Sequence, residues 1–167
     1  MASYFKFGIP GLDDVVASLP KNSSILIIGD PGVGKTFFAS QTLAYALRAG
    51  GKALWALTDM APSDLKDHME RLGCDLSSFE DEGRFNFIDC YSYRAEGLLP
   101  KVKFFVDDPT ALFSISVAID QAVSEMSGVD LLVFDSLSGL IFEAEPQSVL
   151  RFVRNEVTRC RAKGVFS

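Results

Sequence analysis

The chain has 167 residues, a length typical of a single domain, and 48% of them are hydrophobic, so it can bury a core and disorder is excluded as its dominant state. Sixteen Lys and Arg residues against 22 Asp and Glu residues give a net charge of −6. This balance disfavours a protein that coats nucleic acid, which would carry a basic face, although a local basic patch is compatible with it. Three cysteines and one histidine have neither metal-ligand spacing nor the pattern of a disulfide framework, which favours a cytoplasmic location. We expect neither a secretory signal nor a membrane span, because residues 1–7 lack the apolar region of a signal and polar residues interrupt the apolar stretch at 111–123.

The first part of the chain alternates between apolar runs and helical patterns. Residues 1–23 are a lead-in segment of turns and a short helix, punctuated by Gly and Pro. Residues 24–28 are a short apolar run, which predicts a strand buried on both faces. Residues 35–49 have apolar side chains at helical spacing and predict a helix. A second buried strand and a second helix are predicted at residues 52–57 and 62–72.

The second part of the chain continues this alternation. A strand, an irregular segment, a helix, a fourth strand and a last helix are predicted at residues 85–89, 92–108, 110–127, 129–134 and 147–163. Residues 165–167 predict the start of a further strand. Strands that alternate with helices of this length predict parallel βαβ units, and therefore an α/β fold of three layers with a mostly parallel sheet.

The glycine-rich turn after the first apolar run matches the pattern G-x-x-x-x-G-K-[ST] at every fixed position. We expect Gly29 and Gly34 to adopt positive φ, so that consecutive N–H groups point inward and bind an anion. Lys35 can reach the β- and γ-phosphates of a nucleotide, and the Thr36 hydroxyl can bind Mg²⁺. The predicted nucleotide-binding residues are Gly29, Asp30, Pro31, Gly32, Val33, Gly34, Lys35, Thr36 and Phe37.

A carboxylate for the Mg²⁺ shell is expected at the end of another buried strand. Residues 129–134 form such an apolar run and are followed by Asp135, which is a Walker B pattern. Because ligands bind at the carboxyl ends of parallel strands, Asp135 and the phosphate loop should converge. We therefore predict that Thr36 and Asp135 place Mg²⁺, the latter through a water molecule.

Three acidic residues are candidates for orienting the attacking water: Asp59, Glu143 and Glu145. Asp59 is favoured because it follows the predicted strand at residues 52–57, on the edge of the sheet where the phosphate loop is expected. The alternative is that Asp59 caps the helix that Pro62 opens, and the sequence leaves both interpretations open.

In these motifs the sequence resembles the RecA superfamily and, within it, the KaiC-like ATPases. The resemblance covers nearly the whole chain and is carried by residues 8–14, 19–23, 29–36, 61–73, 82–89 and 131–136. It implies that residues 1–167 are a single RecA-like domain that binds ATP and Mg²⁺. Lys35 and Thr36 match the Walker A pair and Asp135 the Walker B aspartate. The resemblance also implies a homo-oligomer, often a hexamer or a filament, with ATP at the subunit boundaries.

Two departures from the family pattern concern catalysis. The family usually has two adjacent glutamates after the second strand, one or both acting as catalytic base, whereas this chain has Asp59 and Met60. Aspartate is one methylene shorter and methionine accepts no proton, which predicts slow or partner-dependent hydrolysis. KaiC-like cores also continue through further strands whose Lys and Arg groups reach a neighbour's ATP, so we expect the C-terminal strands to be missing here. The alternative is a non-hydrolysing, ATP-sensing regulatory or scaffold module.

Overall fold

Parallel strands flanked by helices make up the computed structural model, which describes residues 4–16, 19–94 and 102–167. The strands are β1 Ala53–Leu57, β2 Phe85–Asp89, β3 Phe104–Phe105 and β4 Leu131–Asp135. The helices are α1 Leu12–Val15, α2 Lys35–Arg48, α3 Pro62–Arg71, α4 Leu76–Asp81, α5 Leu112–Glu125, α6 Leu137–Glu143 and α7 Pro146–Lys163. A 3-10 turn covers Ser92–Arg94. Parts of the predicted lead-in and of the irregular segment, at residues 1–3, 17–18 and 95–101, lie outside the described residues.

The four strands form one parallel sheet in the order β3-β2-β1-β4. In the register of this sheet, Trp55 of β1 lies opposite Phe87 of β2 and Val133 of β4. All five residues of β1 are buried, as expected for a central strand of a parallel sheet. The predicted alternation of parallel strands and helices is therefore confirmed.

Each face of the sheet is covered by helices. Leu54 and Ala56 of β1 belong to a core that includes side chains of α5 and α7. Trp55 and Leu57 point to the opposite face, into a core shared with α2, α3 and α4. Because successive side chains of a strand point to opposite faces, these two cores make the predicted three layers.

The prediction that residues 24–28 form a strand buried on both faces is wrong. The Ile25 N–H donates to the Ser167 carbonyl at 2.7 Å and the Ser167 N–H donates to the Ser23 carbonyl at 3.1 Å, so the segment pairs only at its beginning. Leu26 and Ile28 are 68% and 85% exposed. Within the described ranges no strand lies beside these two residues, which is why their side chains contact solvent.

Residues near the two ends of the chain pack together. The Phe166 carbonyl accepts the Leu132 N–H at 2.8 Å, and Phe166 forms an isolated parallel bridge with Leu131. The ring of Phe5 stacks on the ring of Phe166, with centroids 3.6 Å apart and planes 3° from parallel. The predicted further strand is thus a single bridge next to β4, and the lead-in covers it.

Three short elements were absent from the sequence prediction. Helix α4 begins at the cap Asp75, whose carboxylate accepts the Ser77 N–H at 2.9 Å. Helix α6 follows β4 after one residue, and β3 lies in the segment predicted to be irregular. No helix in the described parts of the chain has the length and apolar character needed to cross a membrane.

Candidate functional site

The glycine-rich loop lies between residues 24–28 and α2, and all of its residues up to Gly34 are exposed. Gly34 has the predicted positive φ, of 97°, and Gly32 has a φ of 83°. Gly29 is not in this conformation, so that part of the prediction is wrong. A Cβ atom at Gly29 would lie 2.8 Å from Cγ2 of Val33, so a side chain there would require the exposed Val33 side chain to shift.

The Lys35 ammonium folds back onto the beginning of the glycine-rich loop. Its Nζ donates to the carbonyls of Gly29 and Asp30, each at 2.8 Å. The first turn of α2 contains no acidic side chain, and its N-cap residue Gly34 offers no side-chain cap. The N–H groups of that turn, including that of Phe37, therefore remain available to an anion at the positive end of the helix dipole.

The last residue of β4 meets the phosphate loop, as predicted. The Thr36 hydroxyl donates to Oδ2 of Asp135 at 2.9 Å across 99 residues of sequence. Burial raises the pKa of Asp135, the hydroxyl of Thr36 and the charge of Lys35 lower it, and the neighbouring charge of Asp59 raises it further. A cation between these groups would favour the ionised carboxylate.

The donors at this point fit Mg²⁺, which prefers oxygen ligands and keeps several water molecules. In the portion of the chain described by the structure, no group of three or more His, Cys, Asp or Glu side chains could hold a metal. The protein thus offers one hydroxyl and one carboxylate at the loop. Such a sparse set suits a metal ion whose remaining ligands come from phosphate oxygens and water.

Asp59 follows β1 and lies beside the residue after Asp135. It is exposed, and its carboxylate accepts a hydrogen bond from the Ser136 hydroxyl. The alternative that Asp59 caps α3 does not hold, because the N-cap of that helix is Ala61. The structure thus brings Asp59 and Asp135 to the same edge of the sheet.

Thr58 joins these two acidic positions. Its hydroxyl accepts the Ser136 N–H at 2.8 Å and donates to the Ser136 carbonyl at 2.6 Å. Its own N–H donates to the Asp135 carbonyl at 2.9 Å. The sequence predicts no role for Thr58, because a threonine at a strand end has no distinctive spacing, and Ser136 appears there only as the last residue of the 131–136 motif.

Helix α6 approaches this junction closely through Gly139. A Cβ atom at Gly139 would lie 2.5 Å from Oδ1 of Asp59 and 2.6 Å from Oγ1 of Thr58. Real Cβ atoms do not come so close to other heavy atoms, and a glycine is therefore required for this packing.

The two other acidic candidates have structural partners. Glu143 accepts a hydrogen bond from the Tyr93 hydroxyl at 2.6 Å and is paired with Arg94, contacts that lower its pKa. Glu145 is the N-cap of α7, and its carboxylate accepts the Ser148 N–H at 3.0 Å. Of the three acidic candidates, Asp59 is the one that contacts Ser136, the residue after Asp135.

Phe37, in the first turn of α2, is 45% exposed. The edge of its ring meets the ring of His68 on α3, with centroids 6.2 Å apart. Among the predicted nucleotide-binding residues, residues 29–34 and Phe37 are exposed, whereas Lys35 and Thr36 are half-buried.

Comparisons with known proteins show the family of the chain. A family model described as "ATPase: KaiC" matches residues 5–166. A UPF0273 protein of Thermotoga maritima is 30% identical over 141 residues, which are 84% of this chain and 58% of the relative. A UPF0273 protein of Aeropyrum pernix is 28% identical over 154 residues, 92% of this chain and 61% of the relative. The chain thus spans about three fifths of the length of these relatives.

A solved structure shares the fold. The crystal structure of the KaiC-like protein PH0186 from Pyrococcus horikoshii matches with a TM-score of 0.79, over 99% of this chain and 68% of that protein. The two sequences are 22% identical in this comparison, so the likeness concerns the fold alone. Because the family model covers nearly every residue from the lead-in to the last strand bridge, the chain belongs to the KaiC ATPase family.

Proposed function

We propose that this chain binds ATP with Mg²⁺ at residues 29–36 and hydrolyses it slowly or with the help of a partner. The observation that carries this proposal is the 2.9 Å hydrogen bond between Thr36 and Asp135. It joins the glycine-rich loop to the acidic end of β4, and these are the two parts that a phosphate-bound Mg²⁺ requires.

Each group of the loop has a role in binding. The open N–H groups of the first turn of α2 bind phosphate oxygens. Lys35 exchanges its two carbonyl partners, Gly29 and Asp30, for oxygens of the β- and γ-phosphates. Thr36 and Asp135 hold Mg²⁺, the aspartate through water. When bound, Mg²⁺ neutralises the charge on the phosphates.

Hydrolysis depends on Asp59 in this proposal. Its carboxylate orients the attacking water while the Ser136 hydroxyl holds it in place. Met60 is half-buried and packs against the core next to α3, so it supplies no second proton acceptor. A single short carboxylate, one oxygen of which is held by Ser136, supports a slow reaction.

A second candidate function is an ATP-sensing module that does not hydrolyse. It is favoured by Met60 and by the contact between Ser136 and Asp59, which occupies an oxygen of the one carboxylate that could orient water. In this case bound ATP would order the loop and its surroundings for a partner.

We further propose that the chain assembles with copies of itself, with ATP near the boundary between subunits. The loop supports this, because Asp30, Pro31 and Val33 are exposed and leave the outer side of the phosphates open to a neighbour. Nucleic acid is not proposed as a partner, since the net charge of −6 opposes binding to phosphate backbones.

The test of nucleotide binding is a thermal unfolding assay. MgATP at 100 times its dissociation constant should stabilise the protein by about 2.7 kcal/mol, which raises the melting temperature by roughly 5–10 °C. Lys35→Ala should abolish the shift because the variant loses the cation that faces the phosphates. Lys21→Ala is the matched control, since this exposed lysine precedes the 24–28 segment at the end away from the loop, and its shift should equal that of the wild type.

The outcomes separate the two candidate functions. No shift in the wild type at millimolar MgATP would contradict nucleotide binding altogether. With binding established, phosphate release that disappears in Asp59→Asn supports hydrolysis, whereas a wild type that binds MgATP and releases no phosphate supports the sensor.

A further inference from the structure

We propose that Arg94 is a positioning residue that holds Asp59 in place, a role that rests on the proposed hydrolysis. Arg94 lies in the 3-10 turn Ser92–Arg94 after β2. It touches neither the phosphate loop nor Asp135 through any hydrogen bond of the described residues. Its hydrogen-bond partners are Thr58, Tyr93 and Glu143.

The three nitrogens of the Arg94 guanidinium have three different acceptors. Nη1 donates to the Thr58 carbonyl at 3.3 Å, Nε donates to the Tyr93 hydroxyl at 3.1 Å, and Nη2 donates to the Glu143 carboxylate. The planar guanidinium presents its donors in a fixed fork. The orientation of the side chain is therefore set by the three acceptors together.

The Thr58 carbonyl is the decisive acceptor, because it belongs to the peptide bond that joins Thr58 to Asp59. On its other side, Thr58 is held by the two hydrogen bonds between its hydroxyl and the backbone of Ser136. Thr58, the residue before Asp59, is thus fixed both by its carbonyl, which Arg94 holds, and by its hydroxyl, which Ser136 holds. Without Arg94, one of these two restraints is lost.

Arg94 is itself anchored to the sheet. The side chain of Asp89, the last residue of β2, is buried and accepts the N–H groups of Tyr91 and Ser92, each at 2.9 Å. The guanidinium carbon lies 5.1 Å from the ring centroid of Tyr91 and 5.4 Å from that of Tyr93, within the range of cation–π attraction. The end of β2 thus fixes the turn that carries Arg94, and Arg94 in turn holds the peptide before Asp59.

Glu143 links the same guanidinium to α6. This helix begins one residue after Ser136 and packs on Thr58 and Asp59 through Gly139. The ion pair with Arg94 thus joins the end of α6 to the segment after β2. Arg94 thus connects the segments that follow β2, β1 and β4, which are neighbours in the sheet. Asp59 belongs to the segment that follows β1.

The test compares Arg94→Ala and Arg94→Lys with the wild type in phosphate release and in MgATP binding. Because misplacement of a catalytic group by about 1 Å can cost 10²-fold in rate, we expect Arg94→Ala to lower kcat by about 10- to 100-fold. The dissociation constant of MgATP should change by less than about twofold, since Arg94 does not contact the loop. Arg94→Lys should also lose rate, because one ammonium cannot replace the three-way fork.

Amide hydrogen exchange gives a readout that needs no turnover. The N–H of Thr58, which donates to the Asp135 carbonyl at 2.9 Å, should exchange faster in Arg94→Ala than in the wild type, with MgATP bound and with the global melting temperature compared. Arg71→Ala, which removes an exposed arginine at the end of α3, is the matched control and should change neither kcat nor this exchange.

Two results would overturn the positioning role. One is an Arg94→Ala variant with unchanged kcat and unchanged exchange at the Thr58 N–H. The other is a loss of MgATP affinity as large as the loss of kcat, which would make Arg94 a binding residue. A wild type that binds MgATP and releases no phosphate contradicts the proposed hydrolysis instead, and the exchange experiment then decides the role of Arg94 by itself.

Discussion

At the residue scale, the carboxyl of Asp135 has opposite consequences for folding and for metal binding. Burial raises its pKa, so the ionised form costs free energy of folding, and this cost appears as the pH rises through the raised pKa. The same charge is the one that Mg²⁺ requires. A partly buried carboxylate that destabilises the protein in the absence of a cation is therefore typical of a cation-binding site.

We predict that Asp135→Asn raises the melting temperature of the nucleotide-free protein at neutral pH. The amide oxygen of the variant can still accept the hydrogen bond from the Thr36 hydroxyl, and the free-energy cost of a buried charge is removed. In a domain of this size, a gain of about 1 kcal/mol in the free energy of unfolding raises the melting temperature by roughly 2–4 °C. The stabilisation by MgATP should fall sharply in the same variant. Thermal unfolding at several pH values, with and without MgATP, measures both effects.

The pH series contains its own check. Stability of the wild type should decrease relative to Asp135→Asn as the pH rises above the ordinary range of an aspartate. Asp81→Asn, at an exposed residue of α4, should show no such difference. Equal melting temperatures of wild type and Asp135→Asn at every pH would contradict the electrostatic cost.

The residues of the site differ in how far the sequence reveals them. Lys35, Thr36 and Asp135 were found because their chemistry requires fixed spacing or a fixed place after a strand. Thr58 and Arg94 were missed, since they act through backbone carbonyls and distant side chains, and such contacts exist only once β1, β2 and α6 are assembled. Spacing along the chain carries no trace of them.

At the element scale, the position of α6 depends on one glycine. Gly139 allows the helix to pack on Thr58 and Asp59, with no room for a methyl group. Those two residues are fixed by hydrogen bonds to Ser136. A side chain at position 139 would therefore force α6 itself to move away from Thr58 and Asp59.

We predict that Gly139→Ala destabilises the protein by about 1–3 kcal/mol, the usual cost of overpacking a tight site. Urea unfolding measures this change as a lower midpoint. Ser138→Ala is the control on the same helix, because Ser138 is exposed and its replacement should stay within about 0.5 kcal/mol. A Gly139→Ala variant as stable as Ser138→Ala would show that α6 moves away at no cost.

Element length decides what the sequence predicts. Helices α2 and α7 were placed within two residues at either end, because 14 and 18 residues give a clear helical period. Helices α4 and α6, with 6 and 7 residues, and the two-residue β3 were missed. Such short elements are stabilised by their tertiary contacts, and their own sequences carry too few turns for a pattern.

At the scale of the whole molecule, large apolar side chains are exposed beside the site and away from it. Val33 in the loop is 62% exposed and Phe142 on α6 is 90% exposed. Apolar surface of this kind is common where protein chains associate. Because Val33 lies in the glycine-rich loop, a neighbouring subunit that packs on its side chain would also contact the proposed nucleotide site. The exposure of Val33 therefore supports the proposed assembly.

We predict that MgATP promotes self-association of the chain. Sedimentation velocity at several protein concentrations should show a larger mean mass with MgATP than without it. Lys35→Ala should show no such increase, because it binds no nucleotide, and Lys21→Ala should behave as the wild type. A constant monomer mass under all conditions would refute the proposed assembly.

The burial of whole segments was the part that the sequence predicted least well. Residues 24–28 have the composition of a buried strand, yet Leu26 and Ile28 contact solvent. Composition states what a segment can bury, whereas actual burial requires a neighbour. For β1, with β2 and β4 on its two sides, the prediction and the structure agree.

The stacking of Phe5 on Phe166 has a consequence for the order of folding. Nearly the whole chain separates these two rings, so their contact closes a very long loop and recovers its entropy only after the sheet has formed. The lead-in is therefore expected to dock late, onto a finished β4. For the same reason it should be among the first parts to detach when the native protein opens locally.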